Sequence, residues 1–154
     1  MERSSGAAPP RQSGGSGEPD TTGTANGQLL RMQVESEDPR ISVLSLAGEL
    51  DLSTIPRVEG PLFKQLETHP AVVVDLTALS FIDSSGIGLL IKAFRAGQDD
   101  NAGKLHTVIA RDSQIERVFQ IAGIGRALPL YLDRKSAVAA IVAPSQSRNG
   151  DRAG

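Results

Sequence analysis

The segment FIDSSGIG, residues 81–88, gathers side chains whose types and spacing could do chemistry. It places the carboxyl group of Asp83, the hydroxyls of Ser84 and Ser85 and two glycines together, shortly after the apolar run AVVV. A buried strand that ends here and leads into a helix would present these groups at the carboxyl edge of a parallel sheet, where ligands usually bind. A helix cap and a tight turn explain one polar residue and the glycines, but they leave a second hydroxyl unexplained.

Enzymatic chemistry does not fit the spacing of this segment. A nucleophile elbow needs the pattern G-x-S-x-G, but Ile82 and Asp83 stand where the leading glycine would fall. The stretch SSGIGLLIK lacks the glycine spacing and the Gly-Lys-Ser/Thr ending of a phosphate-binding loop. The chain has no cysteine, and His69 and His106 lie far apart without metal-ligand spacing. As a catalytic site the segment therefore fails, and the sequence predicts neither a metal nor a cofactor.

Modification of a hydroxyl is the remaining chemical use of the segment. A serine at a helix N-terminus sits among unpaired backbone N–H groups and near the positive end of the helix dipole. A phosphate there brings about −1.5 to −2 charges at pH 7, which the helix end tolerates but a docked partner surface does not. Phosphorylation would therefore act as a gate on binding. A serine that only caps the helix remains the alternative at this point.

Hydrophobic periodicity predicts the elements that position the segment. Short alternating or wholly apolar runs indicate strands, and apolar residues three and four apart indicate helices. The order is β-β-α-β-α-β-α-β-α, which predicts an α/β domain with a mostly parallel central sheet, an N-terminal hairpin and about four helices. The predicted strands are residues 29–34, 41–48, 71–76, 104–110 and 128–132, and the predicted helices begin near Ser53, run from about Ser85 to Gly97, follow Ser113, and include 138–142.

The same spacing predicts which helix faces are buried. In the helix that follows the segment, Gly88, Leu89 and Lys92 do not belong to the apolar stripe, and we therefore expect them to face outward. The predicted buried stripes are Ile55, Val58, Leu62 and Leu66 in the first helix, Ile87, Leu90, Ile91 and Phe94 in the second, and Ile115, Val118, Phe119 and Ala122 in the third.

Composition limits the domain to the middle of the chain. Residues 1–28 contain six Gly, three Pro, four Ser and three Thr and no Val, Ile, Leu, Phe or Tyr, and residues 144–154 have a similar character. We expect both ends to be disordered tails, because they cannot bury enough apolar surface to offset the entropy of ordering them. Residues 29–143 then form one domain. A net charge of −2 argues against direct nucleic-acid binding, and the lack of a signal peptide or membrane span predicts a cytoplasmic protein.

Three motifs give the sequence a specific resemblance. They are AGELDLSTIP, VVVDLTALSFIDSSGIGLLIKAF and IERVFQIAGI, in this order and with regular spacing across nearly all of residues 29–143. In this combination the chain resembles the anti-sigma factor antagonists, which are bacterial proteins built on a STAS domain. The resemblance implies a STAS-like single domain without catalytic activity, and the fold of that family agrees with the order of elements above.

The resemblance also implies a partner-switching role in transcription regulation and stress response. An unphosphorylated member binds an anti-sigma factor, typically a serine kinase with a histidine-kinase-like ATPase domain, and frees its sigma factor. The kinase phosphorylates the serine after the motif aspartate, which corresponds to Ser84, and the complex dissociates. Ser85 corresponds to the neighbouring hydroxyl and is the second choice as acceptor. A metal-dependent serine phosphatase typically resets the switch.

The family pattern supplies candidate partner-binding residues. Asp83 matches the acid before the phosphorylated residue, and Glu49 and Asp51 match an acidic loop beside it. Capping is the alternative role for Asp83 and Asp51, and packing is the alternative for the two glycines. The full set of candidates is Glu49, Asp51, Asp83, Ser85, Gly86, Gly88, Leu89 and Lys92.

Two other functions remain open from the sequence. Within the same fold, the chain could be a scaffold subunit of a stress-sensing complex or of a lipid transporter, although scaffold versions tend to carry extra domains or lack the phosphorylatable serine. In another class, it could be an enzyme or a nucleotide-binding protein that uses the DSSGIG turn.

Overall fold

The computed structural model describes residues 30–98 and 103–143, which form one five-stranded sheet with helices on both faces. The strands are β1 (Leu30–Asp38), β2 (Ile41–Leu50), β3 (Ala71–Ile82), β4 (Lys104–Val108) and β5 (Leu130–Tyr131). The helices are α1 (Ile55–Thr68), α2 (Ser84–Ala96), α3 (Gln114–Ala122) and α4 (Arg134–Val142), with a 3₁₀ helix (Ile124–Arg126) between α3 and β5.

The strands lie side by side in the order of the chain. β1 and β2 form the predicted antiparallel hairpin, and β2, β3, β4 and β5 pair in parallel. The predicted α/β class, the mostly parallel sheet and the order of elements are confirmed. Because each strand is added on the same side of the previous one, right-handed crossovers carry α1, α2 and α3 to one face of the sheet.

The two faces of the sheet hold separate apolar clusters, since successive residues of a strand point to opposite sides. Val72 and Val74 of β3 pack in the larger cluster, under α1, α2 and α3. Val73, one residue along, packs in the smaller cluster against Ala137 of α4. The three helices that follow β2, β3 and β4 therefore cover one face, and α4 covers part of the other.

Some predicted boundaries are wrong. β3 runs to Ile82, six residues beyond its predicted end, because its second half still pairs with β2 as far as Leu50. β5 has only two residues, which pair with Thr107 and Val108. Ala122, predicted to be buried, is exposed because α3 ends there and Gly123 adopts a left-handed φ of 70°.

The helix α3, predicted to follow Ser113, is capped by the side chain of that residue. Ser113 accepts a hydrogen bond from Glu116 N at 3.1 Å, and the Glu116 carboxylate accepts one from Asp112 N at 2.7 Å. This second bond reaches one residue further back than in the usual capping box.

The two predicted tails lie outside the described residues. Within residues 30–98 and 103–143, no helix is both long enough and apolar enough to span a membrane.

Candidate functional site

Asp83 fixes the start of α2 and connects it to the loop that follows β2. Its Oδ1 accepts a hydrogen bond from Gly86 N at 3.1 Å, so Asp83 has the capping role that the sequence left open as an alternative. Its Oδ2 accepts a second bond from Leu52 N at 3.3 Å. The backbone N–H of Asp83 also donates to the carbonyl oxygen of Leu50 at 3.2 Å. Asp83 is therefore a junction between two chain segments 31 residues apart.

Ser84 is the first residue of α2, and its side chain is exposed. In the part of the chain that the structure describes, its hydroxyl and its backbone N–H make no hydrogen bond, and the same holds for Ser85, which is half-buried. The Ser84 hydroxyl is thus not the cap, because Asp83 fills that role. Two unpaired N–H groups lie beside it at the positive end of the helix dipole, an environment that favours an anion.

The end of β2 and the turn that follows it are held by their own hydrogen bonds. We call residues 49–54, which are the last two residues of β2 and this turn, the acidic loop. Asp51 Oδ1 accepts bonds from Ser53 N at 3.0 Å, Ser53 Oγ at 2.7 Å and Thr54 N at 3.2 Å. Thr54 Oγ1 in turn donates to the Glu49 carbonyl oxygen at 2.9 Å. Asp51 is buried and caps this turn, so α1 begins at Ile55, two residues later than predicted.

A groove of about 510 Å³ separates the acidic loop from the end of β3. Three carboxyl side chains line it, those of Glu49, Asp51 and Asp83. The structure therefore brings together the three acids that the resemblance selected, and Ser84 directly follows the last of them. The site combines an acidic surface with a free hydroxyl.

Two apolar side chains on this groove were not predicted. Leu52 in the acidic loop is 73% exposed, and Phe81 at the end of β3 is 38% exposed. Alternation within β3 could have identified Phe81, because its neighbour Ile82 is buried and must point to the opposite side. No sequence signal identifies Leu52, which lies in a loop without periodicity. Exposed apolar groups beside polar ones are typical of protein interfaces.

The outward face of α2 differs from the prediction at one position. Leu89 is buried, with 5% of its surface exposed, so its predicted outward orientation is wrong. α2 contacts α1 as well as β3 and β4, and the buried arc is wider than one stripe. The buried residues of α2 are Gly86, Leu89, Leu90 and Ala93, with Ile87, Ile91 and Phe94 partly buried at the edges.

Gly88 and Lys92 lie on the exposed side of α2, as predicted. The Lys92 ammonium group bonds the Glu59 carboxylate of α1 at 2.6 Å and lies 5.5 Å from the centre of the Phe63 ring. Lys92 is nevertheless 64% exposed. It lies on the same exposed side of α2 as Gly88, one turn further along the helix.

The two glycines of the motif have different surroundings. A Cβ atom on Gly86 would lie 2.7 Å from Ile82 Cγ1 and 3.0 Å from the Leu50 carbonyl oxygen, so Gly86 is required by packing. A Cβ atom on Gly88 would meet nothing within 4 Å. The fold of this chain therefore does not need glycine at position 88, although glycine costs a helix about 1 kcal/mol relative to alanine.

A second polar cluster lies on the face of the sheet that α4 covers. Arg134, at the start of α4, bonds Asp75 Oδ2 through Nε at 3.2 Å and Nη2 at 2.9 Å, and Glu35 Oε1 at 3.1 Å. Burial would raise the pKa of Asp75, but bonds from Thr77 and Arg134 outweigh it and lower that pKa below its usual value. This cluster joins α4 to the sheet and is separate from the groove. No group of three His, Asp or Glu in the described residues is placed to hold a metal ion.

Comparison with known proteins defines the class to which this fold and site belong. Residues 33–137 match the family model described as the STAS domain. The chain therefore belongs to the STAS-domain family, as its motifs predicted.

Several of the similar proteins are named anti-sigma factor antagonists. The anti-sigma-F factor antagonist RsfB of Mycobacterium tuberculosis is 31% identical over 93 residues, which are 59% of this chain and 73% of that protein. The crystal structure of an anti-sigma factor antagonist from Mycobacterium paratuberculosis has 27% identity and a TM-score of 0.64, covering 72% of this chain and 92% of that one. The Bacillus protein SpoIIAA in its phosphorylated form shares the fold at 23% identity, with a TM-score of 0.53 and coverage of 71% and 98%.

Proposed function

We propose that this chain is an anti-sigma factor antagonist whose binding is switched by phosphorylation of Ser84. In the unphosphorylated form it binds an anti-sigma factor, a serine kinase with a histidine-kinase-like ATPase domain, and so frees the sigma factor. The kinase then phosphorylates Ser84 and the complex separates. A metal-dependent serine phosphatase removes the phosphate and restores binding.

One observation carries the proposal: an exposed, unbonded hydroxyl at a helix N-terminus borders an acidic groove with apolar side chains. Ser84 is favoured over Ser85 because its side chain is exposed, whereas that of Ser85 is half-buried. The phosphorylated SpoIIAA structure supports the view that this fold accommodates a phosphate. The relatives named anti-sigma factor antagonists support the class of partner.

The environment of Ser84 explains why phosphate would release the partner. The phosphate adds about −1.5 to −2 charges next to Asp83, whose carboxylate holds both α2 and the acidic loop. In the free protein the phosphate stays in water and near two unpaired N–H groups. Under a docked partner it would lose water, and since the partner's cations are already paired with Glu49 and Asp83, the buried phosphate charge would be left unmatched, which is costly. Phosphorylation of Ser84 therefore favours dissociation of the complex.

The groove supplies the contacts that bind the partner before phosphorylation. Leu52 and Phe81 provide apolar surface at its edges, and the carboxylates of Glu49 and Asp83 favour a partner with cationic side chains. Asp51 acts through the shape of the acidic loop, because its Oδ1 is occupied by Ser53 and Thr54. Leu89 has no direct contact with the partner in this account, because it is buried.

Capture from cytosol tests the proposal and identifies the partner. Immobilised Ser84→Ala protein should retain a protein with a histidine-kinase-like ATPase domain after washing with Mg-ATP. Wild-type protein should release it under the same wash, and Ser84→Asp should capture little of it. Recovery of one and the same set of proteins on the Ala and Asp variants would contradict the switch.

Leu52→Ser tests the groove as the docking surface. We expect it to weaken binding of the captured partner by about 10- to 100-fold, since full burial of an exposed leucine side chain is worth about 1.5–3 kcal/mol. The matched control is Ile121→Ser, because Ile121 is 81% exposed and does not line the groove. Isothermal titration with both variants makes the comparison. Equal losses, or no loss for Leu52→Ser, would move the docking surface elsewhere.

A further inference from the structure

An apolar crevice of about 340 Å³ lies between α3, the 3₁₀ helix and β5, apart from the groove beside Ser84. No residue that lines the groove also lines the crevice. Its walls are formed mainly by the side chains of Ile109, Phe119, Leu130 and Leu132. This volume is within the usual range of small-molecule sites, and mostly apolar walls are typical of them.

The crevice lies where open α/β sheets bind ligands. Ile109 directly follows the carboxyl end of β4, and Leu132 directly follows the carboxyl end of β5. Ligands in such sheets bind outside the carboxyl ends of parallel strands. The position of the crevice in the fold is therefore that of a binding site.

Of the two charged side chains at the crevice, only the cation lacks a partner among the described residues. Arg126 and Glu116 both line it. The Glu116 carboxylate already accepts the bond from Asp112 N at 2.7 Å. The Arg126 side chain is exposed and makes no hydrogen bond or ion pair to any residue in 30–98 or 103–143. A guanidinium group pairs well with a carboxylate, so the unbonded cation marks the end of the crevice where an acid would sit.

From these observations we infer that the crevice binds a fatty carboxylate of medium chain length, with its alkyl chain between α3 and β5 and its carboxylate on Arg126. The volume accommodates roughly ten heavy atoms, if each takes about the 30 Å³ of a water molecule in the liquid. The ends of this chain cannot take the same place, because residues 1–28 and 144–154 contain no Val, Ile, Leu, Phe or Tyr. The inference does not rest on the proposed switch at Ser84.

Gly125 allows the crevice to be closed by a substitution. It lines the crevice, and a Cβ atom there would lie 3.7 Å from Leu130 Cδ1, an ordinary contact distance. Gly125→Leu should therefore fill the crevice, whereas Gly125→Ala should leave most of it open and is the matched control. Arg126→Gln removes the cation, and Arg117→Gln on the exposed side of α3 is its control, since Arg117 does not line the crevice.

Titration of the full chain with decanoate, followed by two-dimensional amide NMR below the concentration at which decanoate aggregates, tests the inference. We expect saturable shifts centred on Phe119, Gly123 and Gly125, with a roughly sub-millimolar Kd. Arg126→Gln should weaken binding about three- to tenfold, Gly125→Leu should abolish it, and both controls should bind as the wild type does. Decanol and decyltrimethylammonium should bind at least threefold more weakly than decanoate.

Several results would overturn the inference. Shifts that do not saturate or that spread over the whole surface would mean that no site exists. Equal binding of decanol or of the cation would remove the carboxylate as the recognised group. If the Gly125→Leu protein gives the spectrum of a folded protein and binds decanoate as tightly as the wild type, the crevice is not the binding site. If that variant does not fold, the comparison of Arg126→Gln with Arg117→Gln decides, and equal affinities would reject the inference.

Discussion

At the first turn of α2, two glycines two residues apart serve different purposes. Gly86 lies against Ile82 and the Leu50 carbonyl group, and no larger residue fits there. Gly88 faces open space on the exposed side of the helix, next to the proposed docking surface. Because the fold does not require it, we propose that the lack of a side chain at position 88 allows close approach of a partner backbone.

Alanine at each position tests this difference. Gly86→Ala should lower the free energy of unfolding by about 1–3 kcal/mol, because the new methyl group overlaps packed atoms. Gly88→Ala should raise it by about 0.5–1 kcal/mol, yet weaken binding of the anti-sigma partner. Urea denaturation and titration calorimetry measure the two effects. A Gly88→Ala protein that binds its partner as tightly as the wild type would contradict the explanation.

At the scale of strands and helices, sequence patterns predicted the order of the elements and the fold class better than the ends of the elements and the buried faces of the helices. Period and turn residues are local, and they correctly predicted the hairpin and the parallel strands, whereas they left open whether Asp83 caps α2. The length of β3 depends on pairing with β2, which periodicity does not contain. The burial of Leu89 depends on α1 lying against α2, a tertiary contact. The resemblance selected the acids that line the groove. The exposure of Leu52 depends on the path of the acidic loop, which no sequence pattern indicates.

The attachment of α4 to the sheet should depend on pH through Asp75. Its pKa in the folded protein is below the ordinary value of 3.8, so its stabilising effect is complete above that value and is lost as the pH falls through the folded pKa. At pH 7, Asp75→Asn should lower the free energy of unfolding by about 1–3 kcal/mol, since bonds to charged groups are worth this much. The difference from wild type should shrink between about pH 4 and pH 2.

Urea denaturation at pH 7, 5, 3 and 2 checks this expectation. The control is Glu59→Gln, which breaks the exposed pair with Lys92 and should cost no more than about 1 kcal/mol. His106 is unchanged in both variants. Its pKa is lowered by burial, so its own loss of stability begins below about pH 6.5 in every protein and cancels in the comparison. A difference between Asp75→Asn and wild type that does not change with pH would contradict the assignment.

At the scale of the whole molecule, both apolar clusters are made of residues between Leu30 and Ile141. The larger cluster contains side chains from the four strands β1, β2, β3 and β4 and from α1, α2 and α3. The smaller cluster packs α4 against the other face of the sheet. Nothing in the composition of residues 1–28 or 144–154 could extend either cluster. We therefore propose that residues 29–143 are the folding and binding unit.

Removal of both ends tests this proposal. A chain of residues 29–143 should unfold within about 2 °C of the full chain and bind the anti-sigma partner within about twofold, because the removed residues include no Val, Ile, Leu, Phe or Tyr to bury. Differential scanning calorimetry and titration calorimetry provide the two comparisons. A substantially lower unfolding temperature, or loss of partner binding, would show that an end of the chain belongs to the functional unit.

The most direct test of the account is the affinity of the captured anti-sigma partner for unphosphorylated protein and for protein phosphorylated at Ser84. Titration calorimetry with each form, in the presence of ADP, should show at least about a 100-fold weaker Kd for the phosphorylated form, which corresponds to about 2.7 kcal/mol. Phosphatase treatment should restore the original Kd. The same Kd for both forms would contradict the claim that phosphate on Ser84 controls binding.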